Sequence, residues 1–494
     1  MKLAIDGIHS EVVSLFKWLL EEDKQKYVAF LETGAISLDE FIDDLISVRK
    51  NDASKCAEMV FLAVKKAISE KFVDINKFGK LLGIHPEQAL ELLRAEYKLV
   101  KFPVVSKDKA LSKIAYALVF IDEIGYTNLS HQQASIDVIR KLKGKNFSVV
   151  FDTMFYDESF MLAVAVGAFS KNVPENLVFT GKIGEHRNIL PVNSVNEKEE
   201  IARSEKLTLI SPLDAKHIDD VIMLLNAQGA SVPVFYTYQD NDDAEKKYES
   251  FIEFVSSVQS NCIDGSDIRL AEKIFGFSTL LKYKKLDFSD WNKLAIEGGD
   301  NLRKIAKAGF IPNLAFEGPG PLAMGVGIRF GAQYPILVYH KVAQGYAKVI
   351  DLSDNLRKIK TIRQSFERFD VEVSGDGDTC VYIIKTASHE LKAQVIDFVR
   401  KEAETDFMYI YASHKNSGNL PVEDWTIEVS ELMSIVQKVK AEKVINRIEF
   451  FMSCPIPIAF GFGMAFGHFG SGKIYAYNNT ENTYTAVIKI EELK

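Results

Sequence analysis

A twelve-residue pattern occurs twice in the C-terminal half of this chain. Gly320-Pro-Leu-Ala-Met-Gly-Val-Gly-Ile-Arg-Phe-Gly331 aligns with Ile456-Pro-Ile-Ala-Phe-Gly-Phe-Gly-Met-Ala-Phe-Gly467, with seven of the twelve positions identical or nearly so. The flanks repeat too. An apolar strand precedes each copy (Asn313 to Glu317; Ile448 to Ser453), Tyr346 to Leu352 matches Tyr484 to Ile490, and Asp290-Trp291 corresponds to Asp424-Trp425. Such duplication restricts the fold to two tandem copies of one strand–helix–strand unit, because each copy buries its apolar face by packing on a neighbour. Gly325, Gly327, Gly461 and Gly463 admit two readings. They let a helix lie close to its neighbours, or they let backbone approach a ligand beyond the strand ends, where open α/β sheets bind. Taken alone they favour packing.

The remaining composition narrows the partners. The 494 residues suffice for about three domains. With 60 Lys+Arg against 68 Asp+Glu the net charge is -8. Duplex nucleic acid is therefore not an expected partner, since that affinity needs many cations to displace counterions; a small anion in a local basic pocket stays compatible. Cys56, Cys262, Cys380 and Cys454 lie far apart with no Cys-x-x-Cys pair, which suits free thiols in a reducing cytoplasm. His9, His85, His186, His217, His340 and His468 show no ligand spacing, so neither a metal site nor a cofactor is expected. Met1-Lys2-Leu3 leads into a charged amphipathic stretch rather than a signal peptide. Phe450 to Phe469 lacks Lys, Arg, Asp and Glu over about a membrane span, yet Pro455, Pro457 and three glycines fit a strand running into a packed helix better. No membrane partner is expected.

Residues 1–100 read as helices. Ser37-Leu-Asp-Glu40 is a capping box, and Ala57 to Ile68 keeps a helical apolar period. Phe78 to Ile84, then Pro86, Ala89, Leu92 and Leu93, resembles a helix-turn-helix; the segment is not basic, so a plain helical hairpin is favoured. From Ala115 short strands and helices alternate: Ala115 to Ile121, His131 to Lys143, Phe147 to Asp152, Met161 to Phe169, Leu177 to Phe179, Glu197 to Ser204 and Leu207 to Ile210. This α+β unit spans 101–258, although Val232 to Tyr238 is an alternative start for the next region.

Within that unit, Tyr156-Asp-Glu-Ser159-Phe-Met-Leu, Phe179-Thr180-Gly181-Lys-Ile183, Ile189-Leu-Pro191-Val, Asn196-Glu197-Lys198 and Leu207 to Pro212 follow in order. The series resembles the Lon protease domain. The resemblance implies a serine endopeptidase with Ser159 as nucleophile, Lys198 as general base and Thr180 as hydrogen-bond partner of the lysine. The chemistry of the pair stands by itself. A serine hydroxyl needs a neighbouring base, and a lysine serves when burial lowers its pKa. Val192, Val195 and Ile201 surround Lys198 in sequence, and Ser159 precedes an apolar helix whose N-terminus favours an oxyanion. There are departures from the family pattern. Asp157-Glu158 and Phe160-Met161 replace small residues, Lys182 replaces an acid, and Asn193-Ser194 replace two glycines. Two readings stay open, an active dyad and an inert scaffold. No phosphate-binding G-x-x-x-x-G-K-[ST] motif precedes the region, so unfolding-driven processive proteolysis is not expected.

The repeat, especially Phe450 to Gly463 followed by Gly472 to Tyr475 and Tyr484, resembles a SAVED domain, which is similar to two fused CARF-like Rossmann units. The two resemblances together are those of the CRISPR-associated Lon–SAVED proteases, the CalpL family. They imply an α/β multidomain chain: helices over 1–100, a Lon-like α+β domain over 101–258, and a SAVED domain over 265–494 with halves at about 265–360 and 365–494. They also imply activation in antiphage signalling by a cyclic oligoadenylate, with cyclic tetra-adenylate as the expected ring, ligand-induced homo-oligomerisation, and cleavage of a co-encoded partner such as an anti-sigma-like regulator. Val381 to Lys385 is expected to deliver Thr386, Ser388 and His389 beyond a strand end, Met408 to Tyr411 to deliver Ser413 and His414, and Phe451 to deliver Ser453 ahead of Pro455. Glu317 and Gly318 hold the matching place in the first copy. Lys385, hydroxyls and backbone amides suit phosphates, and Trp291, Tyr339 or Trp425 suit a stacked base. Each also has a structural reading, because strand ends are routinely polar.

Overall fold

A computed structural model describes residues 29, 31–34, 36–49, 57–70, 73–108, 111–237, 243–283, 288–402, 406–418, 420–467 and 469–494. Met1 to Leu3, His9, Cys56, Tyr238 and His468 lie outside the described residues. The chain divides into two compact units, through Asn226 and from Ala227.

In the first unit, helices α1 (Leu38–Arg49), α2 (Ala57–Glu70), α3 (Ile75–Leu82) and α4 (Pro86–Arg94) precede strands β1 (Glu96–Val104) and β2 (Lys113–Ile121). The capping box closes α1: Ser37 Oγ and Glu40 Oε2 exchange hydrogen bonds with the helix start. Asp74 caps α3, and Gly83, at φ +74, ends it in the left-handed region that costs glycine least. Pro86 then opens α4, so Phe78 to Leu93 is a helical hairpin. The helices do not form a core of their own. Phe41, Val64, Phe78 and Leu92 share one buried cluster with Leu118, Phe120 and Val150 of the sheet.

That sheet has the order β1-β2-β3, with α5 (Gln133–Lys143) before β3 (Ser148–Phe151). Next comes α6 (Met161–Phe169), buried from Met161 to Ala168 and pressed against the sheet. A Cβ on its Gly167 would lie 2.8 Å from Val100 and 2.9 Å from Val119, so glycine sets the spacing. Strands β4 (Leu177–Phe179) and β7 (Thr208–Ile210) pair in parallel around the hairpin β5 (Lys182–Ile183) and β6 (Ile189–Leu190) and helix α7 (Val195–Ser204). Helix α8 (Ile218–Asn226) ends the unit.

The second unit begins with β8 (Ser231–Thr237), α9 (Asp243–Val258), α10 (Gly265–Phe275), β9 (Leu280–Lys282), α11 (Trp291–Lys307), β10 (Ile311–Glu317), α12 (Gly320–Phe330), β11 (Leu337–Val342) and β12 (Gly345–Asp351). The expected division at 258 and 265 falls at 226/227 instead. Strand β8 hydrogen-bonds in parallel to β10 along its whole length, from Ser231↔Ile311 to Thr237↔Glu317, so it and the α9 that follows belong to this sheet. The second half contains β13 (Phe369–Ser374), β14 (Thr379–Lys385), α13 (Lys392–Glu402), β15 (Phe407–His414), α14 (Thr426–Glu442), β16 (Arg447–Ser453), α15 (Ile456–Phe466), β17 (Gly472–Asn478) and β18 (Thr483–Lys489).

The duplication is visible strand by strand. The first sheet runs β12-β11-β10-β8-β9 and the second β18-β17-β16-β14-β15-β13. In both, a central strand is followed by a glycine-rich helix, a parallel strand and an antiparallel edge strand, and both antiparallel pairs slip register just before Tyr339 or Tyr475. The repeat glycines explain how the halves join. A Cβ on Gly327 would lie 2.1 Å from Phe460 O, and one on Gly463 would lie 2.1 Å from Met324 O, so α12 and α15 cross backbone to backbone. Gly325 faces Ile488, and Gly461 faces Ile350, which is the aligned residue of the other half. Phe450 to Phe466 is thus a strand entering a helix, and among the described residues no helix is long and apolar enough to cross a membrane.

Candidate functional site

The segments that carry Ser159 and Lys198 meet in the first unit. Apolar packing holds the serine segment. Phe155 and Phe160 lie against Phe102 and Phe151 with ring centroids 5.0–5.3 Å apart for three of the four pairs, and Gln132 Nε2 donates to Phe155 O at 3.1 Å. Ser159 sits two residues before α6, its carbonyl accepting from Gly181 N and Gly181 O accepting from Leu162 N. Helix α7 brings Lys198 from the other side. Ser194 caps α7 at φ +57, a left-handed conformation held without glycine.

Lys198 is 1% exposed. Its Nζ donates to Thr180 Oγ1 at 3.3 Å and lies 3.6 Å from Asp157 Oδ2. Burial pushes its pKa below the ordinary 10.5, with Asp157 and Glu197 opposing. Ser159 is 2% exposed, and its Oγ donates to Asp157 Oδ1 at 2.8 Å, so the Asp157 carboxylate spans serine and lysine. A cavity of about 540 Å³ opens onto Asp157 and Lys198, bordered by Ser194, Glu197, Glu200 and Lys107. Lys182 pairs with Glu158 at 2.5 Å. Ser159, Lys198 and Thr180 are therefore gathered as the motif order implies, while Asp157 entered the sequence reading only as a departure. Its position two residues before Ser159 was the available signal.

In the second unit the strand ends line up. Lys385, Ser413 and Ser453 share one register line across three parallel strands, and Lys282, Thr237 and Glu317 share the matching line of the first sheet. Thr386 follows, buried, with its amide and that of Ala387 donating to Ser453 O. Pro455 caps α15 just beyond, Pro319 caps α12, and Gly320 lies beside Met452 and Ala459. Between these turns is a cavity of about 380 Å³ bordered by Pro319, Pro321, Ser453, His389, Trp291 and Tyr475. Lys385 is held by Glu390 at 2.6 Å, which raises its pKa through the hydrogen bond. Glu317 is clasped by Lys247 and Lys341, both at 2.8 Å; burial pushes its carboxyl up, and the two lysines outweigh that and hold it below the ordinary range. Ser388 is exposed in the turn beside Gly418, and Gly318 separates Glu317 from the Pro319 cap.

Three nominated side chains are structural. Trp425 is 1% exposed with Nε1 donating to Pro421 O, and Tyr339 is buried with its hydroxyl donating to Asn313, so neither offers a face to a base. His414 does not follow a strand end. Pairing with β13 extends β15 through Ser413 and His414, burying the imidazole, whose Nδ1 accepts from Asn416 N. Trp291 is also buried, but it borders the cavity and stacks on Phe288 at 5.6 Å. Phe288, Pro319 and Met452, absent from the sequence nominations, also border it. Among the described residues no group of three or more His, Cys, Asp or Glu is placed to hold a metal.

Comparison with known proteins gives one family. The model described as "SMODS-associated and fused to various effectors sensor domain", SAVED, matches residues 301–490, which covers the glycine repeat and most of both sheets. No curated protein matches the chain. Among solved structures, the chain is similar to an Acinetobacter baumannii Cap4 SAVED/CARF-domain containing receptor with the cyclic trinucleotide 3'3'3'-cAAA, at 11% identity over 81% of this chain and 95% of that one, TM-score 0.35. The same receptor with 2'3'3'-cAAA gives 12% identity, the same coverage and a TM-score of 0.34. A Moraxella osloensis Cap4 receptor gives 11% identity over 73% and 74%, TM-score 0.31.

Proposed function

We propose that this chain couples a cyclic oligoadenylate sensor to a serine endopeptidase of type III CRISPR antiphage signalling. The sensor half rests on the SAVED match over 301–490 and on the cavity where the strand ends of both halves converge. The ligand is cyclic oligoadenylate, with cyclic tetra-adenylate as the expected ring, and its binding drives self-association. The effector half rests on one observation: a lysine 1% exposed, hydrogen-bonded to Thr180, faces the same Asp157 carboxylate that accepts from Ser159 at the head of a buried helix.

The chemistry follows from that placement. Neutral Lys198 takes the Ser159 hydroxyl proton as Oγ adds to a peptide carbonyl carbon. The resulting ammonium returns the proton to the leaving amine when the C–N bond breaks, and water then releases the acyl group by the same steps reversed. Thr180 holds the amine in place. The substrate is a co-encoded protein such as an anti-sigma-like regulator.

The test combines wild type and Ser159→Ala with the co-encoded protein, with and without cyclic tetra-adenylate, and reads size by light scattering and fragments by mass spectrometry. Ligand-dependent assembly with cleavage only by wild type is expected. Cleavage that persists in Ser159→Ala refutes the mechanism.

One observation favours a second reading, a sensor whose Lon-like region is a scaffold. Ser159 is 2% exposed and its hydroxyl is held by a carboxylate. Covalent labelling of Ser159 by a serine-directed probe rules that reading out.

A further inference from the structure

The Ser–Lys pair is interrupted as it stands. The Ser159 hydroxyl donates to Asp157 Oδ1 at 2.8 Å, while Lys198 Nζ faces Asp157 Oδ2 at 3.6 Å and Thr180 at 3.3 Å. The serine proton therefore points at a carboxylate, a weak base, and the amine faces the other oxygen of the same carboxylate. The Ser159 amide donates to Asp157 Oδ1 as well, at 3.1 Å. The cavity beside Lys198 reaches Asp157 and the lysine, whereas Ser159 is buried behind them.

The Asp157 side chain is 61% exposed, although its neighbours are fixed. Phe155 and Phe160 are locked in the aromatic cluster, Gln132 Nε2 reaches Asp157 O at 3.4 Å, and Glu158 is held by Lys182 and by Ser135 at 3.2 Å.

We infer that Asp157 is a latch that keeps Ser159 and Lys198 apart in a resting state, and that swinging it outward joins hydroxyl to amine. The inference rests on the Ser–Lys reading and deepens its regulation. Of the other charged groups near Lys198, Glu197 favours its ammonium, and Glu200 and Lys107 border the same cavity; the Ser159 hydroxyl is hydrogen-bonded to Asp157 and to none of these.

The test uses the full chain without nucleotide and a fluorophosphonate probe. Ser159 Oγ forms a bond to phosphorus, fluoride leaves, and the hydroxyl proton passes to Lys198. Asp157→Ala is expected to label about tenfold or more faster than wild type, the scale of one charge-assisted hydrogen bond. Asp157→Asn should fall between them, because its amide oxygen still accepts from Ser159 but carries no charge for Lys198; its near-identical shape also guards against a folding defect in the alanine variant. In Asp157→Ala the midpoint of the rate against pH should move down, since a group that stabilised the ammonium is gone. Labelling of Asp157→Ala no faster than wild type overturns the latch; if wild type still labels at Ser159, the Ser–Lys reading survives. Absence of Ser159 labelling in every variant, with and without cyclic tetra-adenylate, removes both.

Discussion

Replacing Gly327 by alanine tests whether the repeat glycines exist for the crossing of α12 and α15. The new Cβ would start 2.1 Å from Phe460 O and 3.0 Å from Met464 N, both backbone atoms that cannot rotate away. Restoring ordinary contact requires the helices to part by roughly 1 Å, and a gap of that size forfeits about a quarter to a half of each facing contact. If about fifty atom pairs across the crossing each lose a third to a half of ~0.15 kcal/mol, the loss is ~3 kcal/mol. Alanine's higher helix propensity returns ~1 kcal/mol, leaving ~2 kcal/mol of destabilisation. For a unit of this size that lowers Tm by about 4–6 °C. Gly265→Ala is the control, because nothing lies within 4 Å of its Cβ; it should be neutral or slightly stabilising. Gly463→Ala meets Met324 O at 2.1 Å and should cost a similar amount. The double variant should cost less than the sum, since one separation relieves both clashes. Differential scanning calorimetry reads all four. A Gly327→Ala chain with unchanged or raised Tm refutes the close-crossing account.

Three further outcomes follow from the geometry. Labelling of Ser159 in wild type should rise with pH as Lys198 loses its proton, with a midpoint below the ordinary lysine value of 10.5 because burial disfavours the ammonium; a midpoint at or above that value contradicts the role of burial. Burial raises the Asp152 carboxyl to about 6 against an ordinary 3.8, so the folded state holds that proton more tightly, and stability should be full below about pH 4 and fall as pH rises through 6. Asp152→Asn removes the charge and should raise stability at pH 7.5 by about 1–2 kcal/mol in chemical denaturation; equal destabilisation at pH 4 and 7.5 would show that the charge is not the cause. Glu390→Gln frees Lys385 from its 2.6 Å ion pair and should tighten cyclic tetra-adenylate binding several-fold, while Lys385→Ala should weaken it about tenfold, as read by calorimetry; unchanged affinity in both places the ligand elsewhere.

Local features were legible wherever chemistry and period act over a few residues. The capping box at Ser37, the helical hairpin from Phe78 to Leu93, and α6 from Met161 to Phe169 all read directly, because caps and apolar runs are set by neighbours in sequence. Ser159, Thr180 and Lys198 were legible as a joint order of motifs, and Lys385 and Ser453 as strand ends beside a glycine-rich turn. Trp425, Tyr339 and His414 were not. A polar or aromatic residue at a strand end looks the same in sequence whether it faces a cavity or the core, and only packing from distant segments buried these three.

By itself the sequence determined that two copies of one α/β unit are present, because a repeated apolar pattern must bury itself the same way twice. It also determined that the glycines sit at matching positions of both helices. Only the tertiary structure decided that these glycines serve a backbone-to-backbone crossing between the copies, and that β8 joins the first sheet rather than the preceding unit, since strand pairing is a long-range choice. It also decided that Asp157 stands between Ser159 and Lys198. That contact depends on a side-chain rotamer and on two segments some 40 residues apart, neither of which is encoded by local period or propensity.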